Sequence, residues 1–103
     1  MRITFCLAAM ILFLCSNEAV FAADADNGSR LAERWCAACH IVSNTQRNGN
    51  DGAMPFASIA RKADFNAEKL AFFLLEPHPK MPNMALSRDA VHDIAAFIAK
   101  QQQ

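Results

Sequence analysis

Cys36-Ala37-Ala38-Cys39-His40 is the stretch from which the rest of this chain can be read. Residues three apart on a helical turn share a face, so the thiols of Cys36 and Cys39 point the same way. Two thiols at that spacing match the two vinyl groups on one edge of a porphyrin. The imidazole of His40 follows at once and can reach the iron beneath the ring. C-x-x-C-H is the attachment sequence of a c-type haem. The motif therefore predicts one covalently bound haem c, held by Cys36 and Cys39, with His40 as an axial ligand.

Two other chemistries compete for the same residues. Trp35-Cys36-Ala37-Ala38-Cys39 also resembles the W-C-x-x-C of thioredoxin-like redox proteins, but that fold needs a strand before the motif and a βαβ frame. Here a helical pattern precedes the motif and a polar loop follows it. A zinc site would have to recruit His78 and His92, whose separation is far wider than a finger's second pair.

The N-terminus bears on compartment. Met1-Arg2 is a short basic start, and Phe5 to Leu14 is an apolar run of about ten residues, the length of a signal-peptide core and too short to span a bilayer. Ser16-Asn17-Glu18 breaks it, and Val20-Phe21-Ala22 offers small residues where signal peptidase reads. Residues 1–22 are expected to be a cleaved signal and 23–103 the mature domain, with Ala23 and Ala25 as alternative cleavage points. A retained anchor is the rival reading. Leu14 before Cys15 does not suit a lipid-attachment box. Cys6 and Cys15 leave with the signal, so Cys36 and Cys39 are the only thiols of the mature chain. A single C-x-x-C makes no disulfide framework, and exported cysteines committed to a cofactor explain the count better.

The 103 residues carry 10 basic and 10 acidic side chains, and the balance survives loss of Arg2 and Glu18 together. Arg61, Lys62 and Lys69 are interleaved with Asp64 and Glu68, a solvated pattern rather than a nucleic-acid footprint. A mature domain this short has barely enough core of its own. A tethered apolar macrocycle would supply the remainder.

The chain reads as all-α. Asp24, Asp26 and Asn27 can cap a first helix that runs from about Asp26 into the motif, with Leu31, Trp35 and Ala38 as its stripe. Gly28 lowers helix propensity there, which suggests close approach of another backbone. Ser43 to Gly52 is a loop. Phe56, Ile59 and Ala60 suit a short helix ending near Lys62. Asn66 caps a third, Ala67 to Glu76, with Leu70, Phe73 and Leu74 on a face widened by Phe72 and Leu75, so heavy burial is expected. Pro77, Pro79 and Pro82 fix an extended segment. Ser87 caps the last helix, whose stripe is Val91, Ile94, Ala95 and Ile98, and Lys100–Gln103 is expected to fray.

A sixth ligand could be Met54, Met81, Met84, His78 or His92. Met81 is singled out because Pro79 and Pro82 bracket it between two long helices. A thioether there favours ferrous iron and raises the potential, whereas His78 would lower it. His92 reads as a surface residue, and Met54 and Met84 as packing residues.

On these residues the chain resembles the small bacterial class I (monohaem) cytochromes c. The resemblance rests on the Gly28…Cys36-Ala37-Ala38-Cys39-His40 helix, the Met81-Pro82 step and a closing helix with Phe97. It implies three to four helices around one haem, with the N- and C-terminal helices crossing at Gly28 and an aromatic residue, here Phe97, beside the crossing. The family's frequent Gly-Pro is Met54-Pro55 here, which leaves the acceptor for His40 Nδ1 open. Trp35, Arg47, Arg61 and Lys80 are candidates to meet the haem propionates, and helix packing is an equal reading of Trp35. The expected role is an exported periplasmic electron carrier, not an enzyme. It would exchange single electrons with periplasmic or membrane-bound donor and acceptor proteins, without nucleic acid and without stable membrane insertion. The alternatives are a haem sensor or small peroxidase with a displaceable methionine, or a haem subunit of a larger oxidoreductase.

Overall fold

Asp24 starts the first helix, α1 (Ala25–Trp35), in a computed structural model that describes residues 22–50, 52–76 and 81–103. Its carboxylate accepts from the Asp26 and Asn27 amides at 3.0 Å, satisfying two donors the first turn leaves open. Three further helices follow: α2 (Phe56–Ala60), α3 (Ala67–Leu74) and α4 (Arg88–Ala99), with a closing 3₁₀ turn, Lys100–Gln102. No strand occurs among the described residues. This is an all-α fold, and it removes the βαβ frame that the thioredoxin reading needs. Asn66 and Ser87 cap α3 and α4 through their side chains, as their sequence positions predict. His78, Pro77, Pro79 and Lys80, and the expected signal up to Phe21, lie outside the described residues.

The centre of the fold is α4. Its Ile94 and Ile98 meet Ala32 and Phe56, while Val91 and Ala95 meet Ala71. One helix thus faces α1 with one half of its apolar stripe and α3 with the other. All four stripe residues are buried, and His92 is exposed.

The crossing of α1 and α4 requires Gly28. A Cβ built there would run into the Asp93 carbonyl and lie 2.9 Å from the Ile94 nitrogen. The stripe that α1 buries is Gly28, Ala32 and Cys36, with Leu31 partly buried, not Leu31, Trp35 and Ala38. Small residues win because the α4 backbone comes so near that nothing larger fits. Phe97 lies a turn beyond Asp93 and meets the Phe56 ring edge-on at 6.4 Å.

Asp93 also ties the crossing together. Its carboxylate accepts from the Asp24 amide at 2.7 Å and from Asn27 Nδ2 at 2.8 Å. Asp93→Ala removes both acceptors, and a loss of about 1–2 kcal/mol in urea unfolding is expected. Asp93→Asn, which keeps one carbonyl oxygen, should lose less. Equal stability of wild type and Asp93→Ala would show that the contact contributes nothing.

Two expectations are overturned. The C-terminus does not fray: Gln101 Nε2 donates to the Val42 carbonyl at 2.9 Å, and Arg61 Nη2 to the Gln103 oxygen at 3.4 Å. Side-chain amides bind backbone carbonyls as readily as water does, so a polar tail can be a clasp. Nor is α3 heavily buried. It ends at Leu74, only Ala71 is fully buried, and Phe72 is 73% exposed. Protein covers one side of this apolar helix and leaves the rest open.

Candidate functional site

α1 stops at Trp35, so the C-x-x-C-H residues occupy a separate turn rather than the helix itself. The turn is nevertheless helix-like. Cys36 N donates to Ala32 O at 2.8 Å, and both Cys39 N and His40 N donate to Cys36 O, at 3.1 and 2.8 Å. The motif's three side chains are thereby brought onto one turn. Cys36 is buried at the end of the α1 stripe, Cys39 is exposed, and neither forms a disulfide.

His40 is oriented through its ring. Its Nδ1 meets the Met54 carbonyl oxygen at 2.7 Å. A carbonyl can only accept, so Nδ1 carries the proton and Nε2 keeps its lone pair in the neutral ring. A metal-ligating histidine is prepared in this way, since a backbone acceptor fixes the tautomer and raises the basicity of the other nitrogen. Met54-Pro55 thus supplies the acceptor that the sequence left open, and it does so through its main chain. The Phe56 ring stands 5.4 Å from the imidazole, tilted by 48°. Met54's side chain is 43% exposed and is no core packing residue.

The burial of Cys36 does not favour thiol redox chemistry. Burial pushes its pKa up to about 11. Redox and nucleophilic cysteines have depressed values, because the thiolate is the reactive form. A thiol kept protonated behaves here as a small apolar group awaiting a covalent partner. No cluster of three or more metal-binding His, Cys, Asp or Glu side chains occurs among the described residues, so zinc finds no ligand set there.

Met81 lies on the separate segment between α3 and α4. It lines a small cleft with Leu74, Leu75, Met84 and Leu86. Two local devices shape this segment: Asn83 Oδ1 accepts from the Ala85 amide at 3.0 Å, and Ala85 sits in the left-handed region at φ 47°. A non-glycine residue there is uncommon and is held by its surroundings.

Three propionate candidates have defined surroundings. Trp35 is 40% exposed, with the Arg34 guanidinium 4.9 Å from the centre of its ring. Arg47 is exposed, and Arg61 already reaches the C-terminal oxygen. A groove of about 450 Å³ is lined by Ile41, Pro55, Arg61, Phe97 and Gln101. None of the three motif side chains lines it.

The residues present suit a haem. Two free thiols and an imidazole with an available Nε2 share one turn, and the apolar side chains Trp35, Phe72 and Leu75 are left uncovered. Sequence reasoning missed one contributor, Gln46, which sits in the polar loop and bonds back to the turn. Nothing in the loop's composition distinguishes it from its polar neighbours.

Comparison with known proteins agrees with this chemistry. Residues 23–98 match the family described as cytochrome c oxidase, cbb3-type, subunit III. The chain is 55% identical over 83 residues to a protein of Bradyrhizobium diazoefficiens named cytochrome c-552, covering 81% of this chain and 80% of that one. No solved structure matches the chain.

Proposed function

The chain belongs to the family of cytochrome c domains described as cbb3-type oxidase subunit III, and from that membership we propose that it carries one electron at a time between periplasmic partners on an iron ligated by His40 and Met81. It is a small monohaem cytochrome c, a haem-based electron carrier with covalently bound haem c. The observation that carries the finer reading is the bond from His40 Nδ1 to the Met54 carbonyl.

Bound haem c supplies a one-electron iron couple. The chain's own residues do the rest. Cys36 and Cys39 would attach the group through thioethers. His40 presents Nε2, held in one tautomer by Met54. Met81 offers a soft thioether from a segment whose backbone is fixed by Asn83 and Ala85. Ligation by both His40 and Met81 would leave no open position for substrate and would keep reorganisation small, which would suit outer-sphere transfer rather than catalysis. The uncovered apolar residues of α3 would exclude water from the group's face.

Export fits the same reading. Cleavage after Ala22 keeps Asp24, which caps α1 and binds Asp93, within the mature chain. Cleavage after Ala25 would remove both contacts and is disfavoured. No helix among the described residues is long and apolar enough to cross a membrane.

The ferric absorption spectrum of purified protein tests the ligation. A low-spin spectrum with a methionine-to-iron charge-transfer band is expected, and Met81→Ala should abolish that band while leaving the thioethers intact. Persistence of the band in Met81→Ala would assign the ligand elsewhere. Fast, tight carbon monoxide binding by the ferrous wild type at neutral pH would favour a sensor or peroxidase instead. The family's description favours one second reading, a haem subunit of an oxidase complex. Co-purification with membrane oxidase at high salt would support it.

A further inference from the structure

The loop after the motif is more than a connection, and its organising side chain is Gln46. The carboxamide nitrogen of Gln46 lies 2.9 Å from the Ala37 carbonyl, 2.8 Å from that of His40 and 2.7 Å from that of Asn48. Its Oε1 accepts from the Val42 amide at 3.0 Å. The Val42 donor fixes the amide's orientation, because the flipped form would set oxygen against three carbonyl oxygens. The ends of helical turns leave carbonyls without partners. Gln46 covers two of these on the haem-motif turn, and the Asn50 amide covers a third, Cys39 O, at 2.7 Å. Gly49 lets the loop come this near, since a Cβ there would lie 3.0 Å from Cys39 O.

The same loop delivers the acceptor for His40. From Asn50 the path continues through Ala53 N to Asn50 O at 2.9 Å, and beyond Met54 the Phe56 amide donates to Ile41 O at 2.9 Å. Met54's carbonyl is therefore bracketed by bonds that refer back to residues beside His40. Gln46 grips His40's own carbonyl from within that ring of contacts. We propose that Gln46 is a positioning residue for the axial histidine, holding the turn and the loop in the register that keeps His40 Nδ1 bonded to Met54. The proposal rests on the reading of His40 as an iron ligand. Loss of Gln46 lengthens the Nδ1 bond, makes the imidazole a poorer donor and favours ferrous iron.

The test is a potentiometric titration of holoprotein, comparing wild type with Gln46→Met and Gln101→Met. Methionine keeps the volume and removes the hydrogen bonds. Gln101 also binds this loop, at Val42 O, but does not touch the turn. Both variants should melt earlier. Only Gln46→Met should show a higher midpoint potential, and an unchanged potential there overturns the proposal. Should Gln46→Met fail to fold, hydrogen exchange on the wild type decides. The His40 Nδ1 proton and the Val42 amide should exchange through one opening, and a His40 protection factor, each rate being referred to that group's own intrinsic exchange rate, more than about tenfold below that of Val42 overturns the idea. A wild-type spectrum without histidine ligation would defeat the ligand reading itself. Normal wild-type ligation with an unmoved Gln46→Met potential would defeat only the role of Gln46.

Discussion

A Cys36→Ala/Cys39→Ala variant should lose covalent haem and its cooperative thermal transition together. Among the described residues the largest fully buried side chains are Ile94, Ile98, Val42 and Val91, with Phe56 nearly so, a small core even for a short domain. Folding costs on the order of 1–2 kcal/mol of backbone entropy per residue, and burial must offset it. Apolar residues of α3 and its end, Phe72 and Leu75 among them, remain exposed to solvent when protein alone surrounds them. A tethered macrocycle would cover that side. Without it, the variant should show partial helicity, a broad melt and binding of an apolar dye. Haem staining after denaturation reads the first loss, and circular dichroism on heating reads the second. A variant lacking covalent haem but melting sharply at the wild-type temperature would show that the protein core suffices.

Gly28→Ala should be the most damaging single-methyl change outside the haem motif. Two effects oppose each other. Alanine improves helix propensity by about 1 kcal/mol over glycine. Its Cβ, however, meets the Asp93 carbonyl, and backbone cannot rotate aside as a side chain can. Overpacking of this kind costs about 3 kcal/mol. The clash wins, leaving a net loss of about 2 kcal/mol and a fall of about 10 °C in Tm of the holoprotein. Glu33→Ala, at an exposed position on the same helix, should stay within about 0.5 kcal/mol of wild type. A Gly28→Ala protein as stable as wild type would mean that the two helices cross further apart than described.

The two results report on different parts of one arrangement. Gly28 sets how near α1 comes to α4, and the end of α1 places Cys36 against the core. The haem motif is therefore positioned from behind by a helix crossing and from the side by the Gln46 loop. His40 takes its orientation from the second of these, through Met54.

Much of this was legible before any coordinates. Cys36, Cys39 and His40 point to their cofactor because two thiols a helical turn apart suit the two vinyl groups of a haem, and the family agrees on that cofactor. The caps Asp24, Asn66 and Ser87 and the α4 stripe follow from local rules that hold whatever the fold. The glycine at position 28 announced a close approach, because few other reasons keep it in a helix. Tertiary structure alone decided the rest. It chose Asp93 as the backbone that Gly28 meets, Ala32 rather than Trp35 as the buried face of α1, and Met54's carbonyl as the partner of His40. It left the α3 side chains open, where periodicity alone suggested burial, because periodicity shows that a face is apolar and cannot say what covers it. Backbone carbonyls carry no sequence signature, and neither does a polar loop residue such as Gln46 that binds them. Contacts of that kind exist only once the chain has folded back upon itself.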